Sequence, residues 1–312
     1  MPLEPVSKKL MEDLAASGQP PRYLLPPAEA RISAAKLFIA AAGPLEPVAK
    51  VEDFAIVGLG GEIPIRVITP AGDGPFPALV YSHGGGWTFG NIDTHEAVCR
   101  KLANEAGCVV VSVDYRLAPE NKFPAAAEDT YTSTQWVADN AARINVDPTR
   151  IAVGGDSAGG NAAAVTCLMA RDRGSPSIAF QLLVYPVLDY YEPGTPSYQE
   201  HATGYFLTKE AMQKYWENYL TDPAEAKTPY ASPLQAENLA GLPPTLLVLA
   251  QYDPLVDEGK LYAVRLEQAG VPAKINYYEG VMHGFFSMPG MIDLARQAIS
   301  EAAQELKAAL HK

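Results

Sequence analysis

The stretch Val153-Gly154-Gly155-Asp156-Ser157-Ala158-Gly159-Gly160-Asn161 decides how the rest of the chain is read. An apolar run from Arg150 to Val153 leads into it, and a run of small, helix-compatible residues from Asn161 to Arg171 leads out. A strand turning that sharply into a helix strains the residue at its apex, so the positions two away on either side must lack side chains. Gly155 and Gly159 flank Ser157 at that spacing. The turn would raise the Ser157 hydroxyl above a sheet and set it at a helix N-terminus, where free N–H groups favour developing negative charge. On its own the pattern also fits a plain glycine-rich turn, so other residues have to decide.

A serine becomes a nucleophile only with a base beside it and an acid orienting the base. Of His83, His95, His201, His283 and His311, His283 follows a strand-like run, Ile275 to Tyr278, in a glycine-containing loop, whereas His83 opens the glycine loop after Ser82 and is expected to hold that loop by hydrogen bonds. His283 therefore leaves the carboxyl end of a strand, the rim where open α/β sheets bind ligands. Asp253 leaves the same rim directly after Thr245 to Gln251 and is the leading acid; Asp189 and Asp257 are the alternatives, Asp257 fitting better as a helix cap. His83-Gly84-Gly85-Gly86 supplies a loop whose N–H groups can turn inward onto an oxyanion, joined by the N–H of Ala158. A phosphate-cradling loop is the competing reading of those glycines, but no Lys-Ser/Thr follows them.

Size and composition agree with an enzyme of ordinary solubility. At 312 residues the chain can hold one large α/β domain or two smaller ones, and 48% hydrophobic with 19% charged residues is a globular balance. A net charge of -12 disfavours nucleic acid and anionic membrane surfaces, which need clustered Lys and Arg. Cys99, Cys108 and Cys167 show no C-x-x-C spacing, which points to a reducing compartment and no metal site. Met1 to Leu14 has no apolar signal core, and no run approaches the roughly 18 apolar residues that span a bilayer. The expectation is a cytoplasmic protein with no membrane partner.

Outward from the central turn, strand and helix signals alternate. Val51 to Val57 and Ile63 to Thr69 read as an antiparallel edge hairpin around Gly58 to Gly61. Ala78 to Ser82, Cys108 to Val113, Phe180 to Tyr185, Thr245 to Gln251 and Lys274 to Tyr278 read as strands. Thr94 to Ala106, Ala125 to Asn140, Asp257 to Ala269 and Met291 to Leu310 read as helices. The fold class is α/β, with a mainly parallel central sheet covered by helices on both faces. Two helices, Val6 to Ala16 and Ala28 to Ala42, flank a Pro-rich break at the N-terminus. Pro186 to Leu242 holds Pro193, Pro196, Pro223, Pro229 and Pro233 around one helix, Thr208 to Tyr219, and is too long for an ordinary loop, so it reads as a cap. The division is 1-48 for N-terminal helices contributing to the cap, 49-186 and 243-312 for the core, and 187-242 for the cap insertion.

The motifs His83-Gly84-Gly85-Gly86-Trp87, Asp114-Tyr115-Arg116-Leu117-Ala118-Pro119-Glu120, Gly155-Asp156-Ser157-Ala158-Gly159-Gly160, Asp253-Pro254-Leu255-Val256-Asp257-Glu258-Gly259 and His283-Gly284-Phe285 occur in one order over residues 50 to 312. In this the chain resembles the hormone-sensitive-lipase-like carboxylesterases of the α/β-hydrolase fold, the bacterial family IV. The resemblance implies a catalytic triad of Ser157, His283 and Asp253. It implies an oxyanion hole at Gly84, Gly85 and Ala158 with Gly86 close behind, and no cofactor or metal. Asp114 to Glu120 would be a structural loop with Arg116 and Glu120 in ion pairs. Trp87 and Phe89, with Phe38, Tyr205 and Phe285, are the expected substrate-pocket residues. The implied reaction is hydrolysis of short- to medium-chain acyl esters, the partner being a small-molecule ester. An amide, formamide or lactone substrate is the runner-up on the same triad. Plant gibberellin receptors are similar to the family but lack the histidine that stands here as His283. Family members often pair as homodimers through an edge strand and its adjoining helix, and no residue here decides that.

Overall fold

Four strands, Phe76–Ser82, Val109–Val113, Phe180–Val184 and Thr245–Tyr252, are buried along all or most of their length, as a sheet covered on both faces requires. In this computed structural model, which describes residues 1–311 and leaves Lys312 outside, eight strands form one sheet. They are β1 (Lys50–Gly58), β2 (Gly61–Thr69), β3 (Phe76–Ser82), β4 (Val109–Val113), β5 (Val146–Asp156), β6 (Phe180–Val184), β7 (Thr245–Tyr252) and β8 (Ala273–Met282). Their order is β1-β2-β4-β3-β5-β6-β7-β8. β2 runs antiparallel to both β1 and β4, and every other pairing is parallel. The expected edge hairpin is present, with Gly58 opposite Gly61 at its turn.

Two strands run further than their sequences suggest. β5 starts at Val146, where Pro148 and an Asp147–Thr149 side-chain turn hide the strand signal, and its register against β3 shifts there. β8 continues past Tyr278 to Met282 through Gly280 at φ 76°, whose N–H donates to Gln251 Oε1 at 2.8 Å. His283 therefore leaves the strand at its last residue, with its own N–H bonded to the Tyr252 carbonyl.

Helices α1 (Pro5–Ala16) and α2 (Pro27–Ala42) open the chain. The crossover helices are α3 (Ile92–Ala106), α4 (Ala125–Asp139), α5 (Ala158–Arg173), α8 (Val256–Gln268) and α9 (Asp293–Leu310). α3 packs on α9 and α4 packs on α5, while α8 lies along β7 and β8. Among the described residues, no helix is long and apolar enough to cross a membrane.

Extra helices form a cap beside the sheet, and the segment after β6 holds a short helix, α6 (Pro196–Glu200), and α7 (Lys209–Tyr219). α6 has no counterpart among the sequence expectations, because five residues are too few for helical periodicity to register. Trp87 stacks on Tyr219 of α7 at 4.1 Å with the rings 2° from parallel, and Lys122 Nζ donates to the carbonyls of Glu217 and Leu220 at that helix's end. The insertion is pinned at its roots by Asn161, whose Nδ2 donates to the carbonyls of Val187 and Ala231, each at 2.9 Å. Asn161 is fully buried, so removing its amide leaves two carbonyls without a donor. Asn161→Ala should lower the unfolding free energy by about 2–4 kcal/mol, read from urea melts; a loss below about 0.5 kcal/mol would show that water replaces the amide.

Candidate active site

The turn between β5 and α5 holds Ser157 at φ 56° and ψ -119°, a conformation that L side chains rarely adopt. Tertiary packing maintains it. A Cβ added at Gly155 or Gly159 would overlap the Ser82 carbonyl oxygen at the end of β3, so both positions must be glycine for the turn to approach that strand. The Ser157 N–H donates to the Val184 carbonyl of β6 at 2.8 Å, and its own carbonyl accepts from Asn161 and Val187. The nucleophile candidate is thus clamped between two strands and a helix start.

His283 Nε2 lies 2.9 Å from Ser157 Oγ, and His283 Nδ1 lies 2.7 Å from Asp253 Oδ2. Asp253 is fully buried, and its other oxygen accepts the Leu255 N–H at 2.9 Å. The three residues form one hydrogen-bonded chain, with the carboxylate fixing the imidazole so that Nε2 faces the hydroxyl. The alternative acids are engaged elsewhere. Asp189 accepts from Tyr190 N–H and Gln235, and Asp257 accepts the Ser197 N–H and pairs with Lys260.

The glycine loop after β3 departs from expectation at one position. Gly84 N–H already donates to Asp156 Oδ1 at 3.0 Å, which removes it from the donors available to an oxyanion. Among the described residues, the N–H groups of Gly85, Gly86 and Ala158 have no acceptor. Gly85 (φ 125°) and Gly86 (φ 56°) both need the absence of a side chain, since a Cβ would strike the Phe89 carbonyl and the Tyr215 ring respectively.

Asp156 is the hub of a buried network behind the serine. Besides Gly84 it accepts from Tyr81 at 3.0 Å, contacts His95 Nε2 at 3.2 Å, and accepts from Ser287 at 3.3 Å. Burial works to raise this carboxyl, but His95, Tyr81 and His83 together outweigh it and hold it below its ordinary value. Burial, with His95 second, pushes His83 down to about 3, so its neutral ring is free to bond the Gly84 carbonyl from Nδ1 at 2.9 Å. Tyr115 stacks on His83 at 4.3 Å and donates to its carbonyl. The rest of the Asp114 to Glu120 loop is tied by Arg116 to Asp129 and by Glu120 to Arg31. Neither Asp156 nor His95 stands among the expected site residues. A polar residue inside a helix, or between a glycine and a serine, gives no sign that it will be buried against another.

A further buried acid, Glu258, accepts the N–H groups of Leu188 and Asp189 at 2.7 and 2.9 Å. Burial drives its carboxyl well above the usual range against those two bonds. It joins the helix that follows Asp253 to the root of the cap.

The cavity over Ser157 is lined by Arg22, Phe38, Gly84 to Gly86, Phe89, His95, Asp156, Tyr185, Phe206, Leu207, Tyr215, His283 and Gly284. Its free volume is about 50 Å³. Phe38 and Phe89 are therefore where the sequence placed them, but three expected pocket residues are not. Trp87 is wholly buried under Tyr219, Phe285 is wholly buried against Tyr185 and Tyr278, and Tyr205 stacks on Tyr252 at 4.8 Å. Each has found an aromatic partner that lies far away in the chain. Arg22, Phe206, Leu207 and Tyr215 line the cavity from the cap instead, and no motif marks them.

A family model described as alpha/beta hydrolase fold matches residues 79–287. The chain is 41% identical to an esterase of Mycobacterium tuberculosis, LipI, over 273 residues, covering 86% of this chain and 85% of that one. It is 44% identical over 244 residues to a second protein of that organism, the carboxylic ester hydrolase LipN, covering 76% of this chain and 65% of LipN. Among solved structures, an esterase of Pyrobaculum calidifontis superposes with a TM-score of 0.92 at 44% identity, covering 98% of this chain and 99% of that one. An ester hydrolase from the metagenome of Lake Arreo reaches 0.95 at 40% identity, covering 99% and 100%.

Asp114 offers a stability test at the rim of this network. Burial, with Asp93 second, pushes its carboxyl from 3.8 up to about 6. A raised carboxyl favours the folded state while protonated, so that contribution is complete below about 3.8 and is lost as pH rises through about 6. Asp114→Asn, which cannot ionise, should therefore melt near the wild-type temperature at pH 4 and above it at pH 7.5. An equal difference at both pH values would mean that ionisation is not the cause.

Proposed function

The chain belongs to the α/β-hydrolase fold family and is a serine-type carboxylic ester hydrolase, and from that premise we propose that it cleaves short- to medium-chain acyl esters through an acyl-enzyme on Ser157. The observation that carries this reading is the continuous chain from Asp253 through His283 to Ser157 Oγ, with Ser157 and His283 lining a cavity.

The substrate carbonyl sits against Ser157 Oγ. His283 Nε2 takes the hydroxyl proton as Oγ attacks, and Asp253 stabilises the imidazolium that results. The carbonyl oxygen, now an anion, accepts from the N–H groups of Gly85, Gly86 and Ala158, aided by the N-terminus of α5. The tetrahedral adduct collapses and the alcohol departs with the proton from Nε2. Water gives its proton to the same nitrogen, attacks the acyl carbonyl, and releases the acid with Ser157 restored. The small cavity favours short acyl groups, since a long chain needs Phe38, Phe206 or Leu207 to move aside. The relatives named esterases support an ester over an amide or lactone.

Residues 1-48 and 187-242 act together as the cap in this reading. Its support is the set of bonds between the two segments: Tyr23 to Glu210 at 2.9 Å, and Phe38 against Phe206 at 6.1 Å. Three free, buried cysteines support a cytoplasmic location in this reading, and a net charge of -12 speaks against nucleic acid as a partner. A homodimer through the β8 edge and α8 is supported by exposed Ile275 and Tyr277 on the strand and Leu261 and Val264 on the helix. Sedimentation should then give twice the chain mass, and Tyr277→Lys with Val264→Glu should return it to one chain; a wild-type monomer removes the dimer.

The decisive experiment is hydrolysis of 4-nitrophenyl esters from acetate to palmitate. Activity should peak at short or medium chains, and Ser157→Ala should lower kcat by about 10⁴-fold or more. Asp253→Asn should cost about 10³–10⁴-fold with the fold intact. A Ser157→Ala protein that retains its activity would place the nucleophile elsewhere.

A further inference from the structure

Arg22 lies in a short turn, Arg22–Leu24, inside the Pro-rich break between α1 and α2, and its side chain lines the same cavity as Ser157 and His283. The other arginines near this site are all spoken for. Arg31 pairs with Glu120 and Arg116 with Asp129. Arg22 has neither a carboxylate partner nor a side-chain hydrogen bond among the described residues, and its Nε is buried with no acceptor. Arg143, which also lacks a carboxylate partner, is exposed and lies against Phe54 and Trp136, outside the cavity's lining.

A guanidinium removed from water without an anion is costly, and the cost falls when an anion arrives. The local surroundings do not supply one. The Arg22 guanidinium carbon lies 5.3 Å from the centre of the Phe206 ring, which steadies one flat face of the group and leaves its edge of N–H donors unused. Phe38, Phe89 and Leu207 complete an apolar wall that cannot accept hydrogen bonds. The two carboxylates of the site are turned to other tasks: Asp156 to Tyr81, His95 and Gly84, and Asp253 to His283 and Leu255. What the cavity lacks is a planar anion able to meet the guanidinium edge.

We propose that Arg22 is a specificity residue of the substrate site, and that the favoured substrates are small esters carrying a carboxylate. The anion binds the Arg22 guanidinium while the scissile carbonyl sits at Ser157. This rests on the esterase reading above and narrows it from chain length to charge. Partial burial lowers the guanidinium's pKa by desolvation, and an arginine in a protein keeps its charge. The apolar wall receives the hydrocarbon between the two ends of the substrate.

The test uses two matched pairs of esters with the full-length protein. For an acyl-side carboxylate, 4-nitrophenyl hydrogen succinate is set against 4-nitrophenyl pentanoate. For an alcohol-side carboxylate, 4-acetoxybenzoate is set against 4-methylphenyl acetate. The quantity read is the anionic-to-neutral ratio of kcat/KM in the wild type divided by the same ratio in Arg22→Gln, which cancels intrinsic reactivity. A quotient of about ten or more in one pair supports the proposal and identifies which side carries the charge. Arg22→Lys, which keeps the charge and loses the fork, should fall between the two. Ratios within about twofold in both pairs, with Ser157-dependent hydrolysis of the neutral esters present, overturn the proposal and leave the esterase reading standing. A wild type that hydrolyses both anionic esters at under about a tenth of the neutral rate overturns it without any variant. Absence of Ser157-dependent hydrolysis on all four esters removes both readings.

Discussion

The packing of Gly155 and Gly159 against the Ser82 carbonyl is the contact on which the rest of the site depends. It lets the β5–α5 turn close onto the end of β3, and closing it forces Ser157 to positive φ. The strain is held by bonds on both sides, from the Ser157 N–H to β6 and from Asn161 back to the Ser157 carbonyl. Because the same approach brings β3 and β5 together in parallel register, with Ser82 opposite Gly155, the loops leaving the two strands emerge side by side. The serine and the glycine loop that faces it are thus neighbours by construction, before any side chain is considered.

Asp156 converts that proximity into fixed geometry. Sitting one residue before the serine, it reaches across to hold Gly84, so the glycine loop is bonded to the turn carrying the nucleophile. With Gly84 occupied, its two successors are left to present free N–H groups. The cost of burying a carboxylate there is offset by Tyr81, His95 and Ser287, each from a different element. His83 joins this arrangement as a neutral ring, kept so by burial, and not as an acid or base.

The cap is attached to the same machinery. Asn161, in the first turn of α5, holds the insertion at Val187 and at Ala231, and Glu258, in the first turn of the helix after Asp253, holds its start again. A displacement of the cap is therefore felt at the helices that follow the nucleophile and the acid. The N-terminal segment lines the cavity over Ser157 through Phe38 and Arg22, residues distant in sequence from the triad.

The one-dimensional pattern determined the alternation of strands and helices, the edge hairpin, and the three residues of the triad, because each is announced by local chemistry. Buried strands are apolar throughout, a sharp turn demands glycines two residues either side of its apex, and an acid and a base that follow strands must share a rim. The extra length of β5 and β8 was hidden by Pro148 and Gly280, residues whose local preferences oppose a strand that pairing with neighbours enforces. Which glycine N–H is free, and which aromatic faces the substrate, only the tertiary structure decided. Gly84 is claimed by an aspartate 72 residues away, Trp87 by Tyr219, and Tyr205 by Tyr252. Hydrogen-bond and stacking partners compete for each group across the folded chain, and the outcome depends on distances that no local sequence encodes.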